Sequence, residues 1–379
     1  MSALPYWRLS SFYFCYFAVV GTLVPFWGLY LQAQGFSPQA IGGIGAVLMV
    51  TKVIAPNIWG WLADRSGRRL GIIRWGGFCA CVCFLGVFLQ PGLAGMLMIV
   101  TAYSFFWNAV LAQFEVITLG YLGKQAHRYG QIRLWGSVGF VVVVAGLGWL
   151  FDHLSVSYLP FFVLTFLLLI WICSLTLAEP ARPASTVSER GFLQIVKQPP
   201  VLCFLLAGFF LQISHGSYYT FFSLYLEEFG YRRVSIGGLW ALGVMAEMAI
   251  FFVMYRLIPR FGLRRLFLFS LVLAALRWWL VTYFVNSVAL LLFAQVLHAF
   301  TFGVAHAVAI ELVRIFFGAK NQGQGQALYS ATSFGAGGAV GAALSGTLWA
   351  VNPQLPFVMS IFAALVALLF AWFVVITDS

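Results

Sequence analysis

The sequence predicts an all-α integral membrane protein: twelve transmembrane helices in two pseudo-symmetric six-helix bundles. Three observations lead there. Hydrophobic residues make up 62% of the 379 positions and charged residues only 8%, against roughly a quarter charged in a soluble domain. Apolar runs close to the ~20 residues needed to span hydrocarbon recur along the whole length. One long segment also occurs twice in the same direction.

The apolar runs fall at about residues 7–32, 38–63, 70–89, 93–120, 131–151, 158–178, 201–226, 233–258, 266–285, 288–313, 325–349 and 355–376. The first carries no small-residue cleavage site and reads as a retained helix. An even number of spans places both termini on one side of the membrane.

The repeat fixes the organisation. Phe26 to Arg69 recurs without a gap as Phe221 to Arg264, an offset of 195, with thirteen of forty-four aligned positions identical. Both copies read Phe-x-x-Leu-Tyr-Leu, Gly, Ile-Gly-Gly-x-x-Ala and finally Arg-x-Gly-x-Arg. Parallel copies of one membrane bundle are the signature of a transporter, related by an axis along the membrane normal. The expected division is an N-terminal bundle over 1–178, a linker over 179–200 and a C-terminal bundle over 201–379. The linker begins Glu179-Pro-Ala-Arg-Pro and closes with Pro199-Pro200, a composition suited to solvent rather than lipid.

The net charge of +11 does not call for a nucleic-acid partner. Of 21 Lys and Arg, 17 lie at Arg8 or in the loops and helix ends after spans 2, 4, 6, 8 and 10. The exceptions are Arg232 and Arg233 on the other side, and Lys52 and Arg277 within spans. That asymmetry is the positive-inside rule and makes both termini cytoplasmic. All six cysteines fall inside apolar spans. Alternate residues of a helix point about 200° apart, so Cys79, Cys81 and Cys83 do not converge on a metal.

Between spans 2 and 3 stands Gly60-Trp-Leu-Ala-Asp64-Arg65-Ser-Gly67-Arg68-Arg69. Gly67 permits a tight turn, and Asp64 sits where a helix N-terminus would favour an anion. The motif resembles the loop signature of the major facilitator superfamily, which implies that fold and a role in gating conformational change. In the second copy Pro259 stands in place of the acid.

Ionisable residues at bilayer depth are costly and usually line a cavity. Here they are Lys52 in span 2, Glu115 in span 4, Arg133 at the start of span 5, and His215 in span 7. The rest are Glu247 in span 8, Arg277 in span 9, and His298 and His306 in span 10. Lys52 and Glu247 occupy equivalent positions of the two copies, with opposite charge. A rim salt bridge competes with a cavity role for Glu115 and Arg133. His298 and His306, eight residues apart, are offset by about 80° on one helix and share an inward face. Three histidines beside Glu247 suit proton handling, since His and buried Glu titrate near neutral pH. Glycines crowd spans 2, 5, 8 and 11, including Gly337-x-x-x-Gly341, where helices cross closely.

Tyr129-Gly-Gln-Ile-Arg133, His215-Gly-Ser-Tyr-Tyr219, Leu239 through Glu247 and Gln295-Val-Leu-His298 resemble the bacterial phenylpropionate permease group, relatives of lactose permease and other oligosaccharide–proton symporters. The resemblance implies that Glu115 and Arg133, eighteen residues apart, match the sugar-binding pair of lactose permease, and that Arg277 and His298 match its proton-coupling Arg and His. Phe140 stands where that family member has a sugar-stacking Trp, and Thr301 where it has the proton-carrying Glu. The acid expected to carry the proton here is therefore Glu247.

The expected activity is proton-coupled uptake of a small organic solute, an aromatic carboxylate such as 3-phenylpropionate, by alternating access. Substrate is expected at Glu115, Arg133, Phe140, His215, Tyr218 and Lys52, and coupling at Glu247, Arg277, His298 and His306. A lactose-type sugar symporter and an efflux pump of the same fold are the alternatives. No ATPase loop or nucleophile set is present, so neither an enzyme nor a cofactor is expected, only a proton gradient as energy source. The expected setting is the bacterial cytoplasmic membrane. The expected partners are solute, protons and lipid, with a functional monomer and no nucleic acid.

Overall fold

The computed structural model describes residues 4–179 and 192–374, and among these every regular element is helical. The first half comprises α1 (Tyr6–Ala33), α2 (Pro38–Ser66), α3 (Arg69–Phe84), α4 (Leu93–Leu122), α5 (Tyr129–Phe151) and α6 (Leu159–Leu175). A short α7 (Phe192–Val196) then precedes α8 (Pro199–Glu228), α9 (Arg233–Phe251), α10 (Met254–Phe261), α11 (Leu263–Tyr283) and α12 (Val288–Val296). The chain ends in α13 (Ala305–Ser330), α14 (Gly338–Trp349) and α15 (Leu355–Trp372).

Among the described residues, ten helical stretches are long and apolar enough to cross a membrane. One of them, Leu93–Phe151, holds two of the expected spans, α4 and α5, joined by the 3-10 turn Gly123–Arg128. The expected span 11 escapes the count because it is divided among the end of α13, a π-helical stretch at Ala331–Gly337, and the twelve-residue α14. All twelve expected spans are thus helical.

The boundaries follow from local chemistry. Ser37 caps α2, its hydroxyl accepting from Ala40 N at 3.3 Å, with Pro38 at the first helical position. The repeat reappears as repeated turns. Gly35 and Gly230 (φ 83° and 79°) follow α1 and α8, while Gly67 and Gly262 (φ 65° and 75°) terminate α2 and α10. Left-handed backbone at both equivalent pairs is what only glycine adopts without strain.

Two further irregularities fall within expected spans, and a third between spans 10 and 11. Span 8 breaks between α9 and α10 at Phe252 and Val253, where Val253 N–H bonds back only three residues to Ile250 O (3.0 Å). Span 10 carries a π-helical stretch at Ala299–Val304, directly after His298. Gly318 (φ 61°, ψ 174°) kinks α13.

The chain forms two units. The first contains α1 to α6 together with Arg232–Ala241; the second contains α7, α8 and the chain from Leu242 onward. In the first, α1 packs on α5 and α6, α3 on α4 and α6, and α2 on α4. Arg232–Ala241 joins it through backbone contact: a Cβ at Gly237 would lie 3.1 Å from Gly148 Cα. In the second, α8 packs on α14 and α15, and α11 on α13 and α15. Of the expected linker 179–200, residues 180–191 lie outside the described residues. The remainder is partly helical, with Phe192 of α7 against Phe317 (5.4 Å).

Candidate functional site: two polar clusters and a clasped loop

The second unit holds a buried polar cluster built by four helices and a π-helical turn. Arg277 of α11 and Gln295 of α12 are fully buried, and Tyr218 of α8 and His298 are nearly so. The guanidinium donates from Nη1 to Nδ1 of His298 (2.9 Å) and to Thr301 Oγ1 (3.2 Å), and from Nη2 to Gln295 Oε1 (3.5 Å). Its Cζ lies 4.4 Å from the ring centres of both Tyr218 and Trp278. Tyr218 donates to Gln295 Oε1 at 3.0 Å. Glu247 of α9 faces the opposite nitrogen of the imidazole, with Oε2 3.6 Å from His298 Nε2.

A guanidinium has no acceptor. Nδ1 of His298 is therefore the accepting nitrogen, and the neutral ring carries its proton on Nε2, toward Glu247. The 3.6 Å separation is longer than a hydrogen bond. The side chains meet because the π-helical turn widens the helix after His298, a distortion frequent at functional sites. Gly243 brings α9 against the same groups: a Cβ there would sit 3.5 Å from His298 Cδ2 and 3.6 Å from Tyr218 Oη.

His215 and His306 flank this cluster. His215 is buried beside Trp278 (5.2 Å, edge-on), with Nδ1 on Leu211 O at 2.9 Å. Phe302 stacks with the rings of both His298 (5.3 Å) and His306 (6.0 Å). The two expected coupling histidines are thus separated by an aromatic plate.

In the first unit, Glu115 and Arg133 lie in one aromatic pocket but form no direct ion pair. Glu115 Oε1 accepts from Tyr129 Oη (3.2 Å), whereas Arg133 stacks over Phe17 (3.9 Å) and, farther off, Tyr13 (5.7 Å). Tyr13 is held by Thr118 at 3.2 Å and by Phe114 edge-on. Phe140 is buried against α1, its Cδ2 3.4 Å from where a Gly21 Cβ would stand. Lys52 is exposed, and its Nζ contacts Met49 Sδ at 3.7 Å.

The loop between α2 and α3 is clasped from within its own unit. Asp64 pairs with Arg69, and Arg69 also donates to Gln113. Gly60 adjoins Gln113 (3.9 Å from an added Cβ), Arg65 lies over Trp61 (5.4 Å), and Arg68 N–H reaches Ser66 Oγ (3.4 Å). The anion at the α3 N-terminus is not Asp64 but Glu179, which accepts from the backbone N–H groups of Arg69 (3.0 Å) and Leu70 (2.9 Å). Arg74, Arg8 and Tyr121 tie the preceding residues, bonding carbonyls of Leu177 (2.9 Å), Thr176 (2.8 Å) and Ala178 (2.6 Å).

Sequence reasoning missed Gln295 as a partner and Glu179 as a cap. An amide one helical turn before His298, inside an apolar run, was the available signal for Gln295. Nothing local marks Glu179, whose contacts lie 109 and 110 positions away.

The model of the MFS_1 like family matches residues 6–359. The chain is 28% identical over 362 residues to the "Probable 3-phenylpropionic acid transporter" of Escherichia coli (strain K12), covering 90% of each. It is 26% identical to the maltose permease of Geobacillus stearothermophilus, covering 86% of this chain and 83% of that one. Among solved structures, a mutant form of the nucleoside transporter NupG shares the fold with a TM-score of 0.86 at 16% identity, covering 97% and 98%. The chain belongs to the MFS_1 like family, and is a multi-pass membrane transporter of the major facilitator kind.

Proposed function

We propose that this transporter imports an aromatic carboxylate of the 3-phenylpropionate type together with protons. The observation that carries the reading is the row Arg277–His298–Glu247, in which cation, imidazole and carboxylate face one another at 2.9 and 3.6 Å. While His298 Nδ1 accepts from Arg277, that nitrogen has no lone pair free for a proton. A second proton on the ring would break the bond and set two cations together. Glu247, only partly enclosed, is the group in this row able to take a proton without losing a bond to Arg277.

The solute carboxylate would be met by Arg133, whose guanidinium is engaged by π-faces and not by Glu115. Charge-assisted, bidentate bonds are open to it. The aromatic surroundings of Tyr13, Phe17 and Tyr129 suit a phenyl ring. The relative from Escherichia coli supports the solute class, and the maltose permease supports a sugar as the second reading. Binding of solute and proton would shift the balance between outward-open and inward-open states. In this reading the protein works as a monomer in the bacterial cytoplasmic membrane with both termini inside, needs no cofactor, and catalyses no chemical step.

Energised membrane vesicles test it directly. Uptake of labelled 3-phenylpropionate that collapses with an uncoupler is the expected result. Uncoupler-sensitive uptake of a maltoside or galactoside instead would establish the sugar reading, and uptake of neither would defeat both.

A further inference from the structure

We propose that Arg277 holds a small monoanion inside the second unit, at a site built by its own Nε–H and the amide of Gln295. The proposal rests on charge balance within this unit and does not depend on the solute carried or its direction.

Arg277 is completely buried, on a helix that crosses the membrane. Arginine stays protonated in proteins. A charge at such depth is maintained where an opposite charge or a full set of acceptors accompanies it. At Arg277 both are incomplete. The carboxylate of this cluster, Glu247, stands on the far side of His298. Its acceptors are all neutral: an imidazole nitrogen, the Thr301 hydroxyl, the Gln295 carbonyl and the Tyr218 hydroxyl. The faces of Tyr218 and Trp278 supply some attraction, but a quadrupole does not cancel a charge.

Two unused donors accompany this cation. Arg277 Nε and Gln295 Nε2 are each buried without a hydrogen-bond partner. The two side chains touch through Nη2 and Oε1 at 3.5 Å, and Tyr218 fixes the Gln295 carbonyl on that side, leaving the amide nitrogen for another acceptor. Unsatisfied buried donors are uncommon and call for an explanation. One acceptor of unit negative charge, a halide or one carboxylate group, answers both the orphan donors and the charge. The halide would be a resident ion; the carboxylate would be that of a solute.

Thermal melting of the purified full-length protein reads this out, since a ligand of the folded state raises the melting temperature. Sodium chloride and sodium bromide are each titrated against sodium sulfate at equal ionic strength, and sodium 3-phenylpropionate likewise with Arg133→Gln as the background, where the first unit cannot supply its carboxylate site. A saturable rise is expected with Arg277 intact and its loss in Arg277→Gln. Thr301→Glu, which puts a carboxylate beside Nη1, is expected to melt near the anion-saturated temperature and to respond no further. A rise with halide alone assigns an inorganic ion; a rise with 3-phenylpropionate alone assigns the solute carboxylate. No saturable rise with any of the three overturns the site. So does a rise that persists undiminished in Arg277→Gln or, should that variant fail to fold, in Thr301→Glu.

Discussion

Arg277 and His298 are joined Nη1 to Nδ1 at 2.9 Å, and that one bond sets the state of the imidazole. Because the arginine only donates, the neutral ring carries its proton on Nε2, facing Glu247. Nitrogen-15 spectra of histidine-labelled protein are expected to show His298 as the Nε2–H tautomer. In Arg277→Met the preference is expected to relax, as the bond that selects it is gone. A ring already protonated on Nδ1 in the wild type would contradict the geometry.

If Glu247 takes the proton, Glu247→Gln mimics its protonated form permanently. Uphill accumulation in energised vesicles is then expected to fall to the level of simple equilibration. Exchange of labelled for unlabelled solute should continue at a rate comparable to the wild type. Normal accumulation by this variant would place the coupling proton on another group. The same assay on Glu115→Gln, whose carboxylate bonds Tyr129 in the other unit, is expected to change apparent solute affinity more than coupling.

Glu179 and Asp64 both act on Arg69, one through its backbone and one through its side chain. Glu179→Ala leaves the first two N–H groups of α3 without their carboxylate. The loss is expected to be about 1 kcal/mol, the usual scale of a helix N-terminal cap. Asp64→Asn alone should weaken the Arg69 side-chain pair and leave the backbone cap intact. Because the two acids share a partner, their effects on thermal unfolding are expected to be non-additive. Additive losses would show that cap and pair are independent.

The membrane fold was legible because hydrophobic length and a gapless repeat are one-dimensional signals. The positive-φ turns at Gly35, Gly67, Gly230 and Gly262 fall at identical positions of that repeat. The polar cluster was half legible. Arg277, His298 and Glu247 stand out as charges in apolar helices, but which nitrogen meets which partner depends on the π-helical turn after His298, and nothing in Ala299–Val304 announces it. The resemblance to lactose permease implied a solute-binding pair in Glu115 and Arg133, but not the aromatic residues that hold each of them, Tyr129 and Phe17. Phe17 and Tyr13, which hold Arg133, sit on α1, more than a hundred positions away in the chain. Glu179 was hidden for the same reason: a cap supplied from the far end of a bundle has no local pattern.

Glycine substitutions separate close helix contact from mere helix composition. Gly216 of α8 and Gly341 of α14 face each other across bare backbone. A Cβ at Gly216 would lie 2.6 Å from Gly341 Cα, and one at Gly341 only 2.9 Å from Ile213 Cα. Neither neighbour is a flexible side chain that could swing away, so the helices themselves must separate. Gly216→Ala or Gly341→Ala is expected to cost about 1–3 kcal/mol, the range for overpacking a filled interior. Gly146, in the body of α5, has nothing within 4 Å of its added Cβ. There Ala should be neutral or stabilising by roughly 0.5–1 kcal/mol, since it removes the backbone freedom that glycine brings to the unfolded chain. Melting curves of the three variants in one detergent decide the matter. Equal destabilisation at all three sites would mean that composition, and not the α8–α14 contact, makes these glycines matter.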